Sequence, residues 1–317
     1  MKHTMRVARQ EKYGPDQELE IVEVDVPGVL PGEVLVRVRA AGVNPVDWKT
    51  RAGGGIAGLL GDGPLVPGWD VSGVVEEVGP GVTRFAVGDE VYGMPRFPGR
   101  ANAYAEYVSA PARHLVRKPA AIDHVRAAAV PLAGLTAWQA LVDTAEIAAG
   151  QRVLILAAAG GVGHLAVQIA KARGAHVIGT ASAGKHGFLR ELGVDEVVDY
   201  TTTDVADVVR DADVVLDLLG GEHTNRVLPT LRPGGLLITT PTPPAPEAEQ
   251  AAAAAGVRLT WVLVEPDHHA LDQLSELIER GRVRVEVDGT WPLAQAGQAH
   301  KIGSAGHTRG KIVLEVA

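Results

Sequence analysis

From residue 152 onward, short apolar runs alternate with segments of helical character, and no other feature constrains the chain as much. "RVLILA" precedes "GHLAVQIAKARG", "AHVIGTA" precedes "GKHGFLRELG", and "EVVDY" precedes "DVADVVRD". "DVVLDLL" then precedes "EHTNRVLPTLRPG", "GLLITT" leads into the alanine-rich "EAEQAAAAAG", and "VRLTWVLV" follows. Apolar runs this short suit buried strands, and parallel neighbours need a crossover of about a dozen residues between them. Six such strands with five intervening helices predict an α/β chain built on a doubly wound parallel sheet.

The first third has another rhythm. In "GEVLVRVRAAGV", Val34, Val36 and Val38 face one way and Leu35, Arg37 and Arg39 the other. "RVARQEKYG", "LEIVEVDVP", "SGVVEEVGPGV", "GDEVYGM" and "AYAEYVSAP" read as further short strands cut by Gly and Pro, the pattern of a small barrel or sandwich. Residues 51–68 are dense in glycine and read as a mobile loop. "AAAVPLAGLTAWQAL" reads as helix, and the tail after Glu265 as a helix, a strand-like "RVRVEVDGTWPL", a helix and a last strand "GKIVLEV". A chain of 317 residues is long for one core, so two domains are expected.

A net charge of −8 with no long Lys/Arg run argues against nucleic acid or acidic lipid as partner. With no cysteine there is no disulfide and no thiolate chemistry, which is compatible with a cytoplasmic location. The start, "MKHTMRVARQEKYGP", lacks the apolar core of a signal peptide. The longest stretch without a charged residue, 153–170, approaches a membrane span in length, but the glycines at its centre make it a turn between a buried strand and a buried helix. No membrane association is expected.

That turn, "AAAGGVG", carries the first functional signal. The strand should end at Leu156 or Ala157 and the helix open near Gly161. Gly160, Gly161 and Val162 would let backbone approach a pyrophosphate, with the helix dipole favouring its charge, and Gly163 would let the helix pack closely on the strand. The pattern is Ala-x-Gly-x-x-Gly, with Ala158 at the first glycine position. Alone such a match is weak; inside six alternating units it points to a dinucleotide. An NAD site usually has Asp or Glu at the end of the second strand. Here that strand ends "IGTAS", with Ser182, then Lys185 and His186, and no carboxylate nearby. A hydroxyl and a cation suit a 2′-phosphate, and Tyr200 after the third strand would reach the same place, so NADPH is the expected cofactor. The plainer alternative is that Ser182 caps the next helix and Lys185 is solvated.

At this point the chain resembles the zinc-free quinone oxidoreductase branch of the medium-chain dehydrogenase/reductase superfamily. The resemblance rests on "AAGVNPVDWKTRAG", "PGWDVSGVVEEVGPGVTRFAVGDEVYG", "YAEYV", "PLAGLTAWQAL", "AAAGGVGHLAVQIAKARGAHVIGTAS", "LRPGG" and "GHTRGKIVL", in the family's order and across nearly the whole chain. It implies a GroES-like catalytic domain of residues 1–124 and 265–317, a Rossmann dinucleotide-binding domain of 125–264 inserted in it, an active site in a cleft, and a homodimer. It also accounts for the missing cysteines: where zinc-dependent relatives hold zinc with Cys and His, this chain has Asn44 and Trp69, and the structural-zinc lobe is replaced by "PRFPGRANAY". None of the eleven histidines makes a tight metal spacing: His268–His269 sit in a loop before a helix, and His300 and His307 flank a turn. No metal is expected.

Without a Lewis acid, the chemistry implied is hydride transfer from NADPH to an acceptor that is already electrophilic, a quinone or an α,β-unsaturated carbonyl. By the resemblance Asn44 lies beside the nicotinamide and is the candidate catalytic residue. Asp47 and Lys49 follow in the same loop, Lys49 reading as solvated. No general acid is identified, since residues 51–68 contain no tyrosine. The same resemblance puts Thr136 by the nicotinamide ribose or amide, lines the nicotinamide half with Leu218, Leu219, Thr240 and Pro241, and gives Val264 a backbone bond to the carboxamide. Arg309 and Lys311 read as surface charges. Two rivals stand beside this reading. An enoyl-thioester or polyketide enoyl reductase would cluster Arg51, Arg96 and Arg100 as a basic rim. A catalytically silent NADPH-binding protein would keep the turn and reduce nothing.

Overall fold

The computed structural model describes residues 3–240 and 242–316, which form two compact units. One takes the chain up to residue 135, 265–280 and the tail from 285; the other takes 136–264 and 281–284. The expectation for Pro241 lies outside the described residues.

The first unit begins with β1 (Thr4–Arg9) paired antiparallel with β2 (Glu20–Asp25). Its centre is β3 (Glu33–Val43), which leads into α1 (Pro45–Arg51) and α2 (Ala57–Leu60). Then come β4 (Asp70–Val78), β5 (Glu90–Gly93), β6 (Tyr107–Pro111), β7 (Leu115–Arg117), α3 (His124–Ala128) and α4 (Pro131–Trp138). The β3 strand pairs antiparallel with both β4 and β6. Its alternation is half kept: Val34, Val36 and Val38 are in the core, Arg37 and Arg39 are not, but Leu35 is buried too. The segment at 51–68 is more ordered than a bare glycine loop, since it contains α2 and Leu65 bridges antiparallel to Gln10.

The second unit is the doubly wound sheet. It runs β8 (Arg152–Ile155), α5 (Gly163–Ala172), β9 (His176–Ala181), α6 (His186–Glu191), β10 (Glu196–Asp199) and α7 (Val205–Val208), then β11 (Ala212–Asp217), α8 (Glu222–Arg226), β12 (Leu231–Thr239), α9 (Pro246–Ala254) and β13 (Arg258–Trp261). All six strands are parallel in the order β10-β9-β8-β11-β12-β13. The order reverses between β8 and β11, and the carboxyl ends of strands at such a switch point are where open α/β sheets bind ligands. The helices after the third and fourth strands are only four and five residues long. "LRPGG" belongs to β12 and not to the preceding helix, and the register against β11 shifts there, from Ala212 opposite Leu231 to Val214 opposite Leu236.

The tail returns to the first unit as α10 (His268–Glu279), β14 (Val287–Pro292), α11 (Ala296–Ser304) and β15 (Lys311–Glu315), with β15 antiparallel to β3. Several expectations shift here. Residues 125–135 pack with the first unit, and 281–284 join the second, where the Gln168 side chain bonds both the N–H and the C=O of Arg284. His268 and His269 open α10, whose first turn Asp267 caps through the His269 N–H at 2.8 Å. His300 lies inside α11 and is buried, not beside a turn.

Candidate active site

The glycine turn is tighter than its sequence suggests. The β8 strand ends at Ile155 and α5 opens at Gly163, so the connection is longer at both ends than expected. Ala157 takes a left-handed φ of 48°, and its N–H is held by Thr180 Oγ1 at 3.1 Å. A methyl group on Gly163 would lie 2.3 Å from the Ala157 carbonyl oxygen, so no side chain fits there. The Gly160 carbonyl accepts from the N–H of His164 at 3.0 Å and lies 3.0 Å from His164 Nδ1. The Gly160 N–H is taken by the Ala157 carbonyl at 2.9 Å, so Gly160 shapes the turn while Gly161 and Val162 present backbone at the start of α5, where the first N–H groups of a helix lack intrahelical acceptors. This fits the pyrophosphate of a dinucleotide.

Beyond β9, Ser182 occupies the N-cap of a short 3₁₀ turn, yet its hydroxyl makes no capping bond. That removes the plainer explanation for Ser182. Ser182 and Lys185 are half-buried, and Tyr200 is 60% exposed after β10. One expectation fails: a carboxylate does stand close by. Asp199, closing β10, accepts from the Ala183 N–H and from Thr201 N–H and Oγ1, at 2.9 and 2.6 Å, and these bonds lower its pKa. The sheet pairs β10 with β9, so the third strand brings the acid that the second lacks. His186 is turned to the Ala181 carbonyl.

The loop after β11 has an organiser that the sequence reading passed over. Asp217 is fully buried; its Oδ1 accepts the N–H groups of Leu219 and Gly220, both at 2.9 Å, and its Oδ2 the Thr224 hydroxyl at 2.8 Å. The available signal was a lone acid inside the apolar run before Gly-Gly. The loop is thereby held with Leu218 half-buried and Leu219 exposed. The Thr240 N–H reaches the Asp217 carbonyl at 3.3 Å, while Thr136 and Val264 are buried.

In the first unit, Asn44 sits in a buried charged knot. Its Nδ2 donates to Asp70 Oδ2 at 2.8 Å, and its Oδ1 accepts from Lys311 Nζ. Lys311 Nζ also donates to the Val43 carbonyl at 2.9 Å and lies 3.7 Å from Asp70 Oδ2. Asp70 Oδ1 accepts the Leu132 N–H at 2.8 Å. Asp47 Oδ2 accepts the Asn44 N–H at 2.6 Å and the Tyr104 hydroxyl at 3.0 Å, and Tyr104 is in turn 3.0 Å from His300 Nε2. Lys311 is therefore no surface charge: it is 3% exposed, while Arg309 does face outward, paired with Glu286. An asparagine amide has two N–H donors, and only one is used in this knot.

The charge balance of the knot is uneven. One ammonium faces two carboxylates out of water. Burial, then the Asp70 charge, pushes the Asp47 carboxyl up to about 7 against the pull of the Asn44 N–H, Lys311 and Tyr104. Burial also raises Asp70, opposed first by Lys311, and lowers Lys311, opposed first by Asp70. Burial, helped by Arg51, lowers the His300 imidazole to about 3, so it is neutral.

Of the three arginines of the thioester reading, Arg96 and Arg100 line one groove and Arg51 another, and all three are already engaged. Arg51 is bound to the Gln10 side chain at 2.9 Å and to the Gln17 carbonyl, Arg96 to Glu33, and Arg100 to the carbonyls of Leu60, Gly61 and Pro64. At the second position where relatives carry a zinc ligand, the Trp69 indole donates to the Gly99 carbonyl at 2.7 Å.

Known proteins agree with this picture. Residues 30–120 match the alcohol dehydrogenase GroES-like domain family and 192–314 the zinc-binding dehydrogenase family. The mitochondrial NAD(P)H oxidoreductase RTN4IP1 of Danio rerio is 34% identical, covering 96% of this chain and 90% of its own. The 2-haloacrylate reductase of a Burkholderia species is 35% identical over 98% of both. The solved quinone oxidoreductase of Coxiella burnetii superposes with a TM-score of 0.92 at 34% identity, covering 99% of this chain and all of that one. With a Rossmann sheet inserted in a GroES-like unit, the chain is an oxidoreductase and belongs to the zinc-free quinone oxidoreductase branch of the medium-chain dehydrogenase/reductase superfamily.

Proposed function

We propose that this protein is an NADPH-dependent reductase of quinones or α,β-unsaturated carbonyls that works without a metal. The observation that carries the reading is the state of the two positions where zinc-dependent relatives place ligands: Asn44 is tied to Asp70 and Lys311, and Trp69 to a backbone carbonyl. Neither offers a metal a lone pair of the usual kind, so the acceptor has to be electrophilic already. The names of relatives, a quinone oxidoreductase and a haloacrylate reductase, lie in that class.

When bound, the reduced nicotinamide supplies the hydride. The chain supplies the rest. Gly160, Gly161, Val162 and Gly163 hold the pyrophosphate, Thr136, Leu218, Leu219, Thr240 and Val264 flank the nicotinamide half, and Asn44 orients the reacting centre with its remaining N–H. Ser182, Lys185 and Tyr200 take the 2′-phosphate. Asp199 is the counterweight: Thr201 and the Ala183 N–H hold its carboxylate ionised, so Lys185 has to outweigh that charge for the phosphate to sit there. The reading carries with it a cytoplasmic location and a homodimer.

Titration of nucleotide fluorescence tests the cofactor, with NADPH expected to bind at least about tenfold tighter than NADH, and equal affinities defeating the phosphate argument. A panel of quinones and enones tests the reaction; binding without turnover of any acceptor favours the silent binding protein. Cell fractionation and sedimentation test location and assembly.

A further inference from the structure

A groove of about 480 Å³ in the first unit takes no residue from the glycine turn or from the knot around Asn44. Its apolar lining comes from Met5 and Val7 of β1, Val24 of β2, Val66, and Val108 of β6, with Leu30 beside them at 61% exposure. Its cationic lining is Arg9, together with Arg96 and Arg100 from the short segment between β5 and β6. The three arginines are not equivalent. Arg9 is paired with Glu11 at 2.5 Å, and Arg96 with Glu33, which the Ser109 hydroxyl also holds at 2.6 Å. Arg100 is half-buried, and its partners are carbonyls and no carboxylate among the described residues. Its guanidinium donates to the carbonyls of Leu60, Gly61 and Pro64 at 2.7–3.3 Å, which takes four of its five N–H groups. Those dipoles orient the guanidinium but do not cancel its unit charge. Asp25, the remaining acid of the lining, is exposed at the end of β2, where water and salt screen it.

The segment that carries Arg100 is held in a costly shape. Arg96 and Asn102, both lining the groove, take a left-handed φ of 58°, which a side chain disfavours. Arg96 is fixed there by its N–H to His114 Nδ1 at 2.9 Å and by the Gly99 N–H to its carbonyl at 2.6 Å. Backbone strain of this kind gathers where ligands are clamped.

We propose that this groove is a second ligand site, for a medium-chain aliphatic carboxylate. The carboxylate accepts the fifth N–H of Arg100 and meets the charge that no acid of the chain meets, a charge-assisted bond. The chain of the ligand lies along the apolar lining and covers surface that otherwise faces water, Leu30 most of all. One unmatched cation suits a monoanion. A doubly charged phosphate would set a surplus negative charge against Glu33. The volume is within the range of small-molecule sites. The site is separate from the reduction chemistry and does not depend on it.

The test uses the whole protein and decanoate below its micelle concentration, with acetate as the probe that lacks the chain and decanol as the probe that lacks the charge. Of the three methionines, Met5 lines the groove and Met94 does not. With ¹³C-methyl methionine labelling, assigned by Met5→Leu, decanoate should shift the Met5 signal saturably and leave Met94 still. By calorimetry decanoate should bind at least about tenfold tighter than acetate or decanol. Arg100→Gln should weaken decanoate about tenfold and leave decanol unchanged, whereas Leu30→Ser should weaken both by about threefold. Arg100→Lys keeps the cation and should recover most of the loss, which separates a missing charge from a loosened 60–64 segment. An unmoved Met5 signal, equal affinity for acetate and decanoate, or Arg100→Lys as weak as Arg100→Gln overturns the proposal. So does a Met5 shift that saturating NADP⁺ abolishes, since decanoate would then sit in the dinucleotide site.

Discussion

The glycine turn and the buried knot are built in opposite ways. The turn is local: Ala157 to Gly163 are consecutive, they act through backbone, and a missing side chain is their main asset. The knot gathers Asn44 and Asp47 from the start of α1, Asp70 from β4, Tyr104 from the segment before β6, His300 from α11 and Lys311 from β15, and acts wholly through side chains. The first tolerates solvent and asks only for shape. The second has a mutual electrostatic dependence in which removing one charge leaves another uncompensated. Damage should accordingly be steric and confined at the turn, and electrostatic and shared in the knot.

The largest expected effect breaks the knot. Lys311→Met leaves two buried carboxylates with no cation, and should cost about 3–5 kcal/mol of stability by urea unfolding. Adding Asp70→Asn to it should recover part of that loss; a cost under about 1 kcal/mol in the single variant would mean the knot has no shared energetics. Next is pH. The folded pKa of Asp47 stands above its unfolded value, about 7 against 3.8. Its contribution is therefore fully present below the unfolded value and is lost as pH rises through the folded one. Between about pH 4 and 7 the wild type should lose up to about 4 kcal/mol relative to Asp47→Asn, at 1.36 kcal/mol per unit. Parallel pH–stability curves for the two proteins would contradict this.

At the turn, Gly163→Ala forces a methyl against the Ala157 carbonyl. The expected cost is about 1–3 kcal/mol, with weaker NADPH binding by calorimetry and no change in the pH dependence that marks the knot. The smallest effect belongs to the exposed rim. Ser182→Asp should weaken NADPH about tenfold more than NADH, because repulsion at a solvated site is screened. Equal weakening of both cofactors would place Ser182 away from the 2′-phosphate.

Sequence legibility follows the same division. The six parallel strands and the turn could be read from short stretches, because period and glycine spacing act over a few neighbours, while the substitution of both zinc-ligand positions came only from the family resemblance. Ser182 could be read as a hydroxyl at a strand end, but Asp199, contributed by the neighbouring strand, could not. Lys311 looked like a surface charge in "TRGKIVL" for the same reason, and His300 like a residue beside a turn. Asp217 left a faint local sign, an acid inside an apolar run.

What the amino-acid order determined by itself is therefore the sheet, its glycine turn and the absence of thiolate ligands, each set by contacts or residue types within one or two turns of chain. Tertiary structure alone decided which charges lie out of water together. A lysine at position 311 meets an asparagine at 44 only because β15 pairs antiparallel with β3, where Ile312 stands opposite Val43. In the low dielectric of that interior the pairing changes what each group is: a cation held off the surface, and a carboxyl that keeps its proton near neutrality.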